Sequence, residues 1–243
     1  GLVLGPAIQT GRPPWPPETN RATMLYNDDF LLLHYPKTAG KSVAVYFCQN
    51  FAGPIHGRVS KGQVREIGMG ADEDVHLEVA GGHDNFMAAR KVLKERDIDI
   101  LGFRACLVPI RNPYDQMVSN YAFLRRSYDR NPRVRDRPSF ALAAETTFPE
   151  FCARVTIADF ANFVPPERVR DKLPLELIRF ETLAASLSDL MARYGLDETH
   201  PLPHLNASDR PRDFASMYDD ATKAHVDHKL DSLFRIGGYP KEL

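Results

Sequence analysis

The feature that most constrains this chain is a strand, a small-residue turn and a helix in immediate succession near residue 40. Phe30–His34 (FLLLH) is a short apolar run of the kind that forms a buried parallel strand. It meets PKTAGKS at Pro36–Ser42, and a helical stretch follows from about Ser42 to Phe51. A helix N-terminus carries unpaired N–H groups and the positive end of the helix dipole, and a loop of small residues lets those groups close on an anion. Ala39 and Gly40 keep this loop small, Lys37 and Lys41 add charge, and Thr38 and Ser42 add hydroxyl donors. The triphosphate-binding pattern GxxxxGK(S/T) requires Gly at position 35, where this chain has Tyr35. The triphosphate loop is thus half present, which keeps a kinase in play.

The rest of the chain alternates strands with helices. A strand is expected over Val75–Ala80, ending at Gly81-Gly82-His83, and a helix over Phe86–Arg96. A further strand, Arg104–Ile110, runs into Arg111-Asn112-Pro113, with Pro113 well placed in the first turn of a helix that reaches about Arg126. The Arg-rich residues 125–138 read as a loop, Phe148–Val155 as a short helix, and Leu175–Phe180 as a strand. Thr182–Tyr194 reads as a helix closed by Gly195, and Asp213–Phe234 as one long helix capped by Asp213 and ended by Gly237-Gly238. This order predicts a single α/β domain over 29–243, with a mainly parallel central sheet flanked by helices. Residues 1–28, with GRPPWPPETN at 11–20, read as an N-terminal arm.

A second anion site is expected where Arg104–Ile110 delivers Arg111 to the C-terminal edge of the sheet, the edge at which parallel α/β sheets bind ligands. Arg111 offers a fork of donors, and Ser119, about two helical turns on, adds a hydroxyl. Lys and Arg number 31 against 32 Asp and Glu, so the global balance argues for neither nucleic acid nor membrane, and an anion site has to come from local clustering. Cys48, Cys106 and Cys152 form no CxxC pair and fit buried free thiols. With no apolar run of about 18 residues and no signal-peptide order at the start, a cytoplasmic location is expected.

Taken together, PKTAGKS at 36–42 resembles the 5'-phosphosulfate loop of sulfotransferases that use 3'-phosphoadenosine-5'-phosphosulfate (PAPS), and IRNPYDQMVSNY at 110–121 resembles their 3'-phosphate motif. GGHDNF at 81–86, VSNYAFLRRSYDRNP at 118–132 and TFPEFC at 147–152 resemble the uronyl 2-O-sulfotransferases that act on heparan or dermatan. LIRFETL at 177–183 and HLNAS at 204–208 resemble later landmarks of the broader carbohydrate sulfotransferase family. The resemblance implies a P-loop-NTPase-like sulfotransferase fold. It also implies that Lys37, Thr38, Ala39, Gly40, Lys41 and Ser42 surround the 5' end of PAPS, and that Arg111 and Ser119 bind the 3'-phosphate. By the same resemblance His83 is the base and PAP is the product, while for His204, Asn206 and Ser208 closure over the nucleotide and ordinary turn chemistry both stay open. The chain departs from the wider family at Lys41 and from the uronyl enzymes at Gly82, and it lacks the latter's cysteine-rich insert, which leaves the acceptor open.

Sulfuryl transfer calls for a cation at the oxygen bridging to the departing phosphate and a base for the attacking hydroxyl. Lys37 and His83 are the catalytic candidates, and no metal is required. The arginines that follow the Arg111 helix, with Arg126, Arg130, Arg133 and Arg135 as candidate acceptor ligands, suggest a hydroxylated acceptor that is itself anionic, such as a uronic-acid glycan. Two other classes remain open: a P-loop kinase using ATP and magnesium, and a nucleotide-binding module without catalysis.

Overall fold

The computed structural model describes residues 24–60, 64, 67, 74–79, 84–203 and 213–243. The sheet starts at Met24, inside the segment read as an arm. Strand β1 (Met24–Tyr26) is entirely buried and turns into β2 (Phe30–Leu33). The turn is an Asx turn built by Asn27, whose Oδ1 accepts from the amides of Asp29 (3.0 Å) and Phe30 (2.7 Å), while its Nδ2 donates to the Ala52 carbonyl (2.9 Å).

The remaining strands are β3 (Ile55–Val59), β4 (Val75–Val79), β5 (Ala105–Ile110) and β6 (Leu175–Arg179). Six strands form one mixed sheet in the order β4-β3-β1-β2-β5-β6. β2, β5 and β6 are mutually parallel, as are β3 and β4, whereas β1 runs antiparallel to both β2 and β3. Five strands therefore share a direction, and β1 is the reversed strand between them. β3 and β1 had no counterpart in the sequence reading.

Helices cover both faces because the strand residues alternate. Leu25, Phe30, Leu32, Ala105 and Leu107 point to one face and pack with α1 (Gly40–Asn50) and α6 (Leu183–Tyr194). Met24, Tyr26, Leu31, Leu33, Cys106 and Val108 point to the other. There they meet α2 (Phe86–Lys94), α3 (Pro113–Arg130), α5 (Phe148–Arg154), α7 (Asp220–Lys229) and α8 (Asp231–Gly237). The three cysteines are free and buried, and burial pushes Cys48 and Cys152 up to about 12. Among the described residues no helix is long and apolar enough to cross a membrane.

Two helical readings need correction. Residues 125–138 are not a loop: α3 continues to Arg130, a short 3₁₀ turn occupies Pro132–Val134, and α4 (Pro138–Glu145) begins at its own proline. Pro132, which has no N–H to continue the helical bonding, is the true stop, and the intervening charge does not break the helix. The terminal segment is not one helix capped by Asp213. Asp219 caps α7 by accepting from the Thr222 amide (2.7 Å), and the chain breaks at Leu230 before α8. The break directs Leu230, Leu233 and Phe234 together into the core. Gly195 and Gly238 close α6 and α8 with φ of 67° and 64°, the left-handed conformation that glycine adopts without strain.

Asn27 is buried and holds β1 at the centre of the sheet. Asn27→Ala removes three hydrogen bonds and leaves the buried Phe30 amide without its side-chain partner. It is expected to lower stability by about 2–3 kcal/mol in urea denaturation followed by circular dichroism.

Candidate functional site

At the C-terminal edge of β2 the chain passes through His34, Tyr35 and Pro36 into the turn that starts α1. Lys37 and Ala39 both have positive φ, 68° and 62°, with Thr38 between them. This alternation turns successive backbone N–H groups into a concavity for an anion. Side chains tie back the loop carbonyls. Thr38 Oγ1 donates to the Tyr35 carbonyl (2.5 Å), Gln116 Nε2 to Pro36 (2.7 Å) and Arg111 Nη1 to Lys37 (3.2 Å). The N–H groups are then what the loop has to offer. α1 starts at Gly40 with no side-chain cap and no acid in its first turn, so its positive dipole end is uncompensated.

Two residues explain the loop's sequence. A Cβ on Gly40 would lie 2.0 Å from His34 Nε2, so only glycine fits against that ring. Tyr35, which stands where a triphosphate loop has glycine, is fully buried. Its ring packs edge-on against Phe160 and Phe163, and its hydroxyl donates to the Ala158 carbonyl (2.9 Å). It braces the loop from below.

Arg111 leaves β5 and reaches back to the loop. It is 4% exposed, its Nε donates to Asp115 Oδ2 (2.6 Å), and its Cζ lies 3.9 Å from the Phe180 ring centroid. Asn112 caps α3 by accepting from the Tyr114 amide (3.0 Å), and its own amide donates to Glu181 Oε1 (2.5 Å). Glu181 also accepts from the Tyr239 hydroxyl (2.9 Å) and thus serves as a sheet-end partner. Ser119, one helical turn beyond Asp115, is buried on α3.

Lys37 Nζ lies 3.9 Å from the Phe123 centroid. Burial, together with the positive charges of Arg111, Arg126 and Lys41, pulls its pKa down to about 7. Cations gathered this closely are a disfavoured arrangement that an anion would relieve.

The structure brings Lys41, Arg111 and Arg126 into electrostatic reach of Lys37. Thr38 turns its hydroxyl proton inward to the loop, so it acts as a brace. Arg126 and Arg130 line an open cleft of about 420 Å³ with Arg125, Tyr121, Asp129 and Met217. Arg133 and Arg135 do not line it. Arg135 is engaged with the Tyr128 and Asp129 carbonyls at the end of α3 (3.2 and 3.4 Å). His83, His204, Asn206 and Ser208 lie outside the described residues. Asp115, Gln116, Phe123 and Phe180 were not anticipated from sequence. The Arg111–Asp115 spacing of four residues was the available signal for the first of them.

A bound anion should restore the ordinary pKa of Lys37. Its protonated form is the one that binds, so affinity for a phosphate ligand should fall as pH rises above 7. Binding near pH 8 should take up close to one proton, read by calorimetry in buffers of different ionisation enthalpy. Because the folded state lowers this pKa, protonated Lys37 costs stability that is fully felt below pH 7 and fades as pH rises toward the unfolded value. Lys37→Met should therefore hold or raise the melting temperature at pH 7 while weakening phosphate binding and abolishing the proton uptake.

Comparison with protein-family models, with curated proteins and with solved structures finds no match for this chain.

Proposed function

We propose that this protein is a sulfotransferase that moves a sulfuryl group from PAPS to a hydroxyl of an acceptor, and that its α/β domain is a P-loop-like sulfotransferase fold. The observation that carries this reading is the hydrogen bond from Arg111 to the Lys37 carbonyl, which joins two anion-binding segments 74 residues apart in sequence. A ligand with a phosphate at each end, such as a 3',5'-bisphosphorylated nucleoside, suits two such segments at one sheet edge. The cations around Lys37 and the uncapped N-terminus of α1 support the same ligand.

In this reading the acceptor oxygen attacks sulfur in line. The sulfur–oxygen bond to the 5'-phosphate breaks, and its electron pair stays on the bridging oxygen, giving PAP. Lys37 stabilises the charge growing there, and the acceptor's hydroxyl proton passes to a base, for which the sequence resemblance names His83. The cleft lined by Arg125, Arg126 and Arg130 would receive the acceptor, and its charge suits an anionic glycan.

Calorimetry with PAP against ATP and magnesium, followed by labelled PAPS with a panel of acceptors, tests the reading. PAP should bind and ATP–magnesium should not compete effectively. Arg111→Ala should weaken PAP by about tenfold to a hundredfold, the loss of a charge-assisted contact, with a much smaller effect on a ligand lacking the 3'-phosphate. Tighter binding of ATP–magnesium than of PAP would favour a kinase, and PAP binding without turnover on any acceptor would favour a binding module. Neutralising Arg125, Arg126 and Arg130 together should raise the acceptor Michaelis constant and flatten its salt dependence, leaving the donor constant within about threefold. An unchanged acceptor constant would remove the cleft from the acceptor site.

A further inference from the structure

Arg111 does more than present a charge. Its Nε donates to Asp115 Oδ2 at 2.6 Å, and Nη2 lies 2.6 Å from the same oxygen without the alignment of a hydrogen bond. Nη1 reaches the Lys37 carbonyl at 3.2 Å, and the guanidinium plane rests on Phe180. The fork is therefore held at one edge by a carboxylate, on one face by a ring and at the far nitrogen by the phosphate loop. The residue it holds there, Lys37, has φ 68°, a conformation that costs a non-glycine residue about 1–2 kcal/mol and persists only where its surroundings impose it. Asp115 is itself fixed, being in the first turn of α3 under the Asn112 cap. Nη2 is buried against the Asp115 carboxylate and makes no hydrogen bond among the described residues.

We infer that Asp115 is a positioning residue for the phosphate loop: it fixes the Arg111 guanidinium so that Nη1 holds the Lys37 carbonyl, and a ligand at Arg111 and a ligand in the loop then act on one rigid unit. The inference rests on the reading of both segments as a single donor site. It predicts an effect opposite in sign to simple electrostatics. Asp115 is a negative charge beside an anion site, and on charge alone its removal should tighten anion binding. A positioning role makes its removal weaken binding, because the guanidinium loses its anchor and the loop its clamp.

The test uses inorganic pyrophosphate as a probe of the loop, titrated calorimetrically into the full chain. Asp115→Asn is expected to weaken pyrophosphate by about tenfold, roughly the loss of one charge-assisted hydrogen bond. Phe180→Leu alters no charge and removes the ring under the guanidinium, so it should shift the affinity in the same direction by a smaller factor. It carries the test if Asp115→Asn does not fold. Where turnover of PAPS is measured, Asp115→Asn should raise the donor Michaelis constant by about tenfold, in step with the weakened pyrophosphate binding, while the acceptor constant changes by less than about threefold. Pyrophosphate binding that is unchanged or tighter in Asp115→Asn, or unchanged in Phe180→Leu, would overturn the positioning role. A wild-type protein that binds pyrophosphate but shows no preference for PAP over 5'-AMP would instead overturn the donor reading, and the response of pyrophosphate binding to Asp115→Asn would still decide the role of Asp115.

Discussion

The Arg111 guanidinium lies between the end of β5, the start of α3 and the turn before α1, and donates a hydrogen bond to the last two of these. Each contact constrains a different level of the structure. The Asp115 contact sets the orientation of a long, otherwise entropically costly side chain. The Lys37 carbonyl contact sets a backbone conformation that lysine would not adopt alone. The Phe180 face excludes water from the guanidinium, which strengthens both bonds. Burial lowers the Arg111 pKa and raises that of Asp115, and the ion pair between them opposes both shifts. The pair persists because its two members are within 2.6 Å and because each also has a fixed place in the fold.

Around this clamp the protein accepts a concentration of like charge. Lys41, Arg111 and Arg126 all act unfavourably on Lys37, and the open end of α1 adds a further partial positive charge. Burying a cation without a counter-ion is costly, and the depressed pKa of Lys37 expresses that cost at a single residue. The scaffold that tolerates it is apolar and well packed. Tyr35, Phe160 and Phe163 interlock beneath the loop, and β5 is buried along its whole length. Sites of this kind are less stable empty than occupied, which is the thermodynamic form of pre-organisation for a ligand.

The elements with strong local signals were legible in the sequence. Phe30–Leu33, the turn and α1 follow one another as read, and so do β5 and the Asn112-Pro113 start of α3, because each is specified by a few adjacent residues. β1 was not legible: Met24–Tyr26 is too short to show a period, and its place between β2 and β3 comes from the Asn27 turn and from pairing with distant residues. Residues 125–130 were misread because charge was taken as a sign of a loop. A helix face exposed to a cleft carries charge just as readily, and Leu124, buried on the same helix, continues the apolar stripe of Met117 and Tyr121. In the site, the residue types that bind phosphate were visible, but their bracing was not. The Thr38 hydroxyl reads as a donor to the anion, whereas in the fold it donates to the Tyr35 carbonyl, and Tyr35 reads as a defect in a glycine pattern until its ring is found in the core.

The same physics explains why α3 is the element on which the geometry of the whole edge turns. Its first turn carries Asp115, which holds Arg111, and Gln116, which holds the Pro36 carbonyl. Two turns further on it carries Phe123, on whose ring the Lys37 ammonium rests. Two and three residues later, Arg125 and Arg126 line the cleft, and Arg126 still acts on Lys37 electrostatically. A helix rises about 1.5 Å per residue, so the eleven steps from Asp115 to Arg126 span about 16 Å. Loop and cleft are thereby held at a separation set by hydrogen bonds internal to one helix and not by flexible connections. That rigidity requires α3 to run unbroken past residue 126, as it does to Arg130, and a loop over 125–138 would have left the arginines without a fixed distance from the turn before α1.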